Sequence, residues 1–273
     1  MNKIFYIILV SIVITSCSEY QKALKSDDVA VKYQTAIDMH EKGKYNKASA
    51  LFEQLVPAMR GKPNAERFFY FFAKNYYGLG NKMSPYYVTA NYELEKFVSS
   101  YPKSEKREEA AFLAAKCMYL LSPKYTLDQH DTEKAIDKLQ GFIDSYPKSE
   151  FLSEANQHVK ELREKLELKA FENAKQYNTI AEWARDFRAP IKALDNFIAD
   201  YPGTPYKEDA LFYKYEALYK YALNSVENKK QERLLNAKAA YDALVKFNNE
   251  SKFKKEADKM LETVEKELTQ YSN

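Results

Sequence analysis

The sequence predicts an all-α superhelical solenoid of about five helical hairpins, and three observations carry that prediction. Turn formers are scarce, with 6 Gly and 9 Pro in 273 residues against 30% charged and 15% aromatic residues. A β-sandwich or barrel needs a turn roughly every 8–12 residues, so this composition excludes one. A phrase also recurs. Phe97-Val-Ser-Ser-Tyr101-Pro102 returns as Phe142-Ile-Asp-Ser-Tyr146-Pro147 and Phe197-Ile-Ala-Asp-Tyr201-Pro202, with a degenerate copy at Leu244-Val-Lys-Phe-Asn248-Asn249. Finally, a small residue is followed four positions on by a large one, and three further on by another. Ala48, Phe52 and Leu55 form one such set; Ala90, Leu94, Phe97 and Ala135, Leu139, Phe142 form the next two. Ala237, Tyr241 and Leu244 form the last, and Pro190 replaces the small residue before Leu194 and Phe197. Offsets of four and three fall on one face of a helix.

That spacing, closed by a proline stop, is the pattern of a tetratricopeptide (TPR) repeat. The elements follow in order. Lys3 precedes an apolar run, Ile4 to Ile14, interrupted by Ser11. The run is shorter than the roughly 20 residues a spanning helix needs and reads as a secretory signal. It ends in Ile14-Thr15-Ser16-Cys17, which has the form of a lipobox: an aliphatic residue, two small ones, then the cysteine that carries the lipid. Residues 1–16 are therefore expected to be a lipoprotein signal peptide, and 17–27 a tether held to a membrane through acylated Cys17. TPR units are expected over 28–148 and again over 149–273. Gly43-Lys44-Tyr45 and Gly80-Asn81 are placed at tight turns within the first two hairpins. Ser122 to Thr132 makes a longer connection, with Asp131 or Thr132 capping the helix that follows. Phe151 to Phe187 contains no Gly or Pro and predicts a long connecting helix, broken near Ile180–Arg185, where a domain boundary would fall. Proline is tolerated only in a first helical turn, so the helix holding Pro190 should begin near Arg188.

The charge balance, 42 Lys+Arg against 39 Asp+Glu, alternates in sign along the chain. That is a solvated helical surface, not the basic footprint nucleic acid requires. His40, His130 and His158 show no metal-ligand spacing, and Asp128-Gln129-His130-Asp131 reads as a capping loop in preference to a metal site. With no catalytic motif and no phosphate-cradling loop, the chain is read as a non-enzyme without cofactor or metal. Cys117 reads as a small core residue, and acylation of Cys17 would leave it no disulfide partner. The aromatic run Phe68-Phe69-Tyr70-Phe71-Phe72 has two readings: a helix buried on both sides, or one whose outer part lines the concave groove. In the TPR frame the groove positions are Tyr33, Ile37 and His40 in the first unit and Phe72, Asn75, Leu79 and Met83 in the second. There Asn75 would bond an extended peptide's backbone while the aromatics take its side chains.

Further segments carry a resemblance: Cys17-Ser-Glu-Tyr-Gln-Lys-Ala-Leu-Lys25, the insertion Ser122-Pro-x-Tyr-x-Leu-Asp-Gln129, and Lys169-Ala-Phe-Glu-Asn-Ala-Lys175. With the lipobox and the three Tyr-Pro phrases, they make the chain resemble the BamD-type family of outer-membrane lipoproteins over essentially its whole mature length. The resemblance implies five TPR units in the periplasm, tethered to the outer membrane. It implies that the N-terminal units receive unfolded outer-membrane β-barrel proteins through a terminal signal. The C-terminal units would dock on a BamA-type β-barrel subunit, in company with other lipoproteins of the assembly machinery. Pro190 and Asn248-Asn249, which depart from the repeat, lie in the half implied to dock. The alternative is a generic TPR lipoprotein scaffold for cell-envelope or cell-wall enzymes. A glycan-binding lipoprotein built on TPR helices would need a longer chain with inserted loops.

Overall fold

Helix follows helix through the whole of the computed structural model, which describes residues 19–271; Cys17 and the signal segment lie outside the described residues. After a helical stretch at 19–25 come α1 (Val29–Glu41), α2 (Tyr45–Met59), α3 (Ala65–Gly80), α4 (Tyr86–Ser100), α5 (Arg107–Leu121) and α6 (His130–Ser145). Then follow α7 (Leu152–Ala184), α8 (Arg188–Asp200), α9 (Lys207–Leu223), α10 (Glu227–Phe247) and α11 (Lys254–Leu268). The chain forms two compact units that divide inside α7, between Arg163 and Glu164. The first holds the hairpins α1/α2, α3/α4 and α5/α6; the second holds α8 to α11 with the end of α7.

The repeat stripe is the core. Ala48, Ala90, Ala135 and Ala237 are fully buried, as are Phe52, Leu94, Leu139, Leu194 and Leu244. Small residues let helix backbones approach, and the large ones fill the space between hairpins. Tyr241 departs from this: it is half-buried because its hydroxyl reaches Asp258 on α11, 2.6 Å away. Pro190 is buried as the third residue of α8, which starts at Arg188 as expected.

Four of the turns joining successive hairpins, those after α4, α6, α8 and α10, repeat one hydrogen-bond pattern. In the first unit the N–H groups of Tyr101 and Tyr146 donate to the carbonyls of Phe97 and Phe142 at 2.9 Å, ending α4 and α6. Ser104 and Ser149 then accept from the backbone N–H two residues on, each at 3.1 Å, starting the next helix. In the second unit Thr204 does the same for Tyr206 at 3.0 Å and Ser251 for Phe253 at 3.2 Å. The residue so positioned covers a ring of the preceding hairpin. Phe151 stacks on Phe112 at 4.7 Å, Tyr206 on Phe171 at 5.0 Å and Phe253 on Phe212 at 4.1 Å. At the remaining turn a cation replaces the ring, with the Lys106 ammonium 5.6 Å from the Tyr70 centroid.

Local details sharpen or correct the expectation. Gly80 ends α3 in helical conformation and is glycine because the Tyr87 ring presses on it; an added Cβ would lie 2.3 Å from that ring. The positive φ in the first hairpin is at Gly43, at 67°. Helix α6 starts at His130, two residues before Thr132, with the Asp128 carboxylate accepting from the His130 N–H at 3.0 Å. Thr132 is fully buried instead, tied to Ser122 at 2.6 Å and Gln129 at 2.8 Å, which clamps the two ends of the insertion together. The break expected near Ile180–Arg185 is found there: α7 runs to Ala184 and is ended by Arg185 at φ 53°. Part of the supposed tether is docked: Tyr20 and Ala23 are buried in the core of the first hairpin, beside Leu24.

Candidate binding clefts

The run Phe68 to Phe72 divides between two cores. Phe68 and Phe72 turn toward α1 and α2, packing with Phe52, while Tyr70 and Ala73 join α4 and α5. Phe69 and Phe71 are half-buried and touch both clusters. A helix wedged between two neighbours needs apolar residues all round, which accounts for five aromatics in succession.

The five groove residues do not form one open wall. Phe72 is 7% exposed, parallel to Phe68 at 6.1 Å and edge-on to Tyr76 at 5.1 Å. Asn75 is 1% exposed and its amide is fully engaged, donating to Ser49 Oγ at 2.8 Å and the Tyr45 carbonyl at 3.1 Å. Its Oδ1 lies 3.1 Å from His40 Nδ1, which fixes that nitrogen as the protonated one. Burial lowers the His40 pKa, so the ring is neutral at pH 7 and donates to Asn75. Leu79 is buried as well. Tyr33 is half-buried against Phe68, its hydroxyl enclosed without a hydrogen-bond partner. Met83 is 60% exposed in the turn after α3. Tyr33 and Phe72 share the first core, whereas Met83 stands apart from it at the end of the hairpin.

The open stripe of α3 lies one residue back from the expected one, at Arg67, Phe71 and Lys74. These line a cleft of about 380 Å³ with Glu66, Tyr70, Phe97 and Lys106. Its floor is aromatic and its rim cationic. The Arg67 guanidinium lies 5.8 Å from the Phe71 centroid, and Lys74 Nζ donates to Tyr70 Oη at 3.0 Å and to Glu109 at 2.7 Å. Although burial acts against it, the lysines beside Glu109 hold its carboxyl below the ordinary range. Burial of Tyr70 raises its phenol, so the hydroxyl stays neutral. An aromatic floor with basic residues above it can take a ring and a carboxylate together. The spacing of 67, 71 and 74 was readable as a helical stripe, but a frame counted back from Ala90 assumes a fixed turn length. Five residues separate α3 from α4, against three between α1 and α2, so the two hairpins do not share one register.

A second cleft of about 410 Å³ lies over α4, α5 and α6, floored by Ala111, Ala114 and Ala115, with Arg107 at its edge. Nothing among the described residues gathers three or more His, Cys, Asp or Glu side chains in a group able to hold a metal ion. Cys117 is fully buried, and burial pushes its thiol up to about 12, which makes it unreactive at neutral pH.

Stacked hairpins of this kind, with clefts between their helices, define a helical-repeat protein of TPR type. Residues 25–234 match the YfiO family, described as an outer membrane lipoprotein, and the chain belongs to that family. No curated protein matches it. Among solved structures, one titled "Computational Design of Self-Assembling Cyclic Protein Homooligomers" aligns over 99% of this chain and 96% of its own, at 11% identity and a TM-score of 0.20. No helix among the described residues is long and apolar enough to cross a membrane.

Proposed function

We propose that the chain is a lipid-anchored subunit, facing the periplasm, of the machinery that folds and inserts β-barrel proteins into the outer membrane. Membership of an outer-membrane lipoprotein family over residues 25–234 carries this reading. The lipid is held by Cys17. The first unit receives unfolded barrel proteins at the cleft of Arg67, Phe71, Lys74 and Lys106, where a terminal aromatic residue meets the ring floor and its carboxylate the cations. Tyr33, Phe72, Asn75 and Leu79 support the helix that carries it, and Met83, beyond the end of α3, takes no part in it. The second unit docks on the BamA-type subunit. The protein binds and positions its partners without chemistry of its own.

Co-purification from solubilised membranes tests this. A large β-barrel partner is expected; recovery of a soluble hydrolase in its place would select the envelope-enzyme scaffold. At the cleft, Arg67→Ala with Phe71→Ala should weaken a barrel C-terminal peptide by roughly thirtyfold, the loss of one interface hot spot. Unchanged affinity would place the substrate elsewhere.

A further inference from the structure

The helical stretch at 19–25 fixes where the anchor leaves the body. Tyr20 is buried in the first hairpin, and Lys47, in the first turn of α2, holds its ammonium 5.1 Å from the Tyr20 ring. Only three residues of chain, at most about 11 Å, separate Tyr20 from Cys17. The membrane attachment is therefore close to the end of the first hairpin where α1 turns into α2.

Successive helices of the first unit run antiparallel, so the turns 42–44, 81–85 and 122–129 lie along the same edge. One contact shows the first two side by side, Lys82 Nζ donating to the Gly43 carbonyl at 3.2 Å. This edge carries Lys42, Lys44, Lys47, Lys82 and Lys124 against Glu19, Glu41, Asp128 and Asp131. It also carries two well-exposed large apolar side chains, Met83 at 60% and Leu127 at 58%. Lysines flanking isolated apolar residues suit a surface of anionic headgroups over hydrocarbon. The opposite edge, at 60–64, 101–106 and 146–151, is also rich in lysine, but no large exposed apolar residue lies in those turns.

We infer that the α1–α2, α3–α4 and α5–α6 turn edge lies flat on an anionic phospholipid surface, so that the anchor sets the orientation of the first unit as well as its location. This rests on acylation of Cys17. The lipid chain brings the edge down; Lys42, Lys47 and Lys82 meet phosphate, and Met83 and Leu127 enter the headgroup layer. The open stripe of α3 then stands along the membrane normal instead of facing it.

The test uses the full mature chain with Cys17→Ser, which lacks the acyl group, and vesicles of equimolar phosphatidylethanolamine and phosphatidylglycerol. The protein should partition onto these vesicles, release in high salt, and ignore vesicles of phosphatidylcholine alone. Each lysine near such a surface contributes about fivefold in partition, so Lys42→Gln, Lys47→Gln and Lys82→Gln together should reduce it roughly a hundredfold. Lys62→Gln, Lys103→Gln and Lys148→Gln, on the opposite edge, should leave it nearly unchanged. Met83→Ser with Leu127→Ser, both exposed and so safe for the fold, should weaken partition with no change in its salt dependence. Failure of the Cys17→Ser chain to bind, or equal losses from the two lysine sets, would overturn the inference. Fractionation of membranes washed in high salt, which releases the edge, separates it from the anchoring it rests on: if Cys17→Ser stays with the washed membranes as wild type does, the lipid is not the tether, whatever the vesicles show.

Discussion

The turn at Tyr146-Pro147 and the turn at Asn248-Asn249 make the same backbone hydrogen bonds from different side chains. In the first, a ring and a proline end the helix: Tyr146 lies 5.2 Å from Phe142 and the proline forbids continuation. In the second neither is present. There Glu208, in the first turn of α9, accepts from Ser251 Oγ at 2.6 Å, the Lys252 N–H at 3.1 Å and Asn248 Nδ2 at 3.2 Å. Both turns keep the hydroxyl that starts the next helix and the ring that stacks behind it. The repeat is therefore specified by its Ser/Thr and by the stacked ring. Tyr-Pro and a carboxylate from an earlier helix are two devices added to it, and the Tyr101-Pro102 turn has both, with Ser104 Oγ donating to Glu66 at 2.6 Å.

Removing the shared packing should have the largest effect. Phe142→Ala takes away a ring 5.4 Å from Phe112 and next to Tyr146, and should cost about 3–5 kcal/mol. In a repeat architecture the loss should be concentrated in neighbouring hairpins, so hydrogen exchange should rise in α5 and α6 ahead of α10. A melting temperature within a degree of wild type would mean that Phe142 is not a core residue.

The serines should separate the two turns. Ser149→Ala removes one half-exposed acceptor and should cost about 0.5–1 kcal/mol, as an ordinary helix cap does. Ser251 is 6% exposed and both accepts and donates, so Ser251→Ala also strips Glu208 of a partner and should cost about 1–2 kcal/mol. Equal losses in chemical denaturation would show that Glu208 adds nothing to the degenerate turn.

How far the sequence could be read follows the same division. The stripe of Ala48, Leu94, Phe142 and their counterparts was legible because burial on a helical face leaves a period that needs no partner to be known. The Tyr-Pro stops were legible because proline acts locally. The stacking of Phe151, Tyr206 and Phe253 was not, since it depends on rings roughly 35–45 residues earlier. The cleft escaped for a related reason. Unequal turn lengths put Arg67, Phe71 and Lys74 on the open face, and the seating of Tyr45 and Tyr87 against Gly78 and Gly80 is a contact no count along the chain reports.

Acid should also divide the turns. Glu208 is held below its ordinary 4.5, chiefly by the Ser251 hydroxyl. A depressed folded value contributes stability that is present above the unfolded value and is lost as pH falls through the folded one. From about pH 4.5 downward, amides at 250–254 should lose protection earlier than those at 149–152, where no carboxylate holds the turn. In Glu208→Gln that extra sensitivity should vanish. Parallel loss at the two turns would place the acid response elsewhere.

The smallest expected effect is a gain. Asn249 stands where the other three turns have proline, after a residue already extended, with Asn248 at φ −149° and ψ 104°. Extended backbone is what a following proline demands. The Asn248 N–H, which ends α10 by donating to Leu244, is left intact by a change one residue later. Asn249→Pro should therefore stabilise the second unit by about 0.4–1 kcal/mol, through the conformations it removes from the unfolded chain. It should also relieve the dependence on Ser251, so that Ser251→Ala costs less in the Asn249→Pro background. A double-mutant cycle read by denaturant midpoint measures both quantities. A gain with strict additivity would leave the two devices independent, and a loss would show that position 249 cannot adopt the φ proline requires.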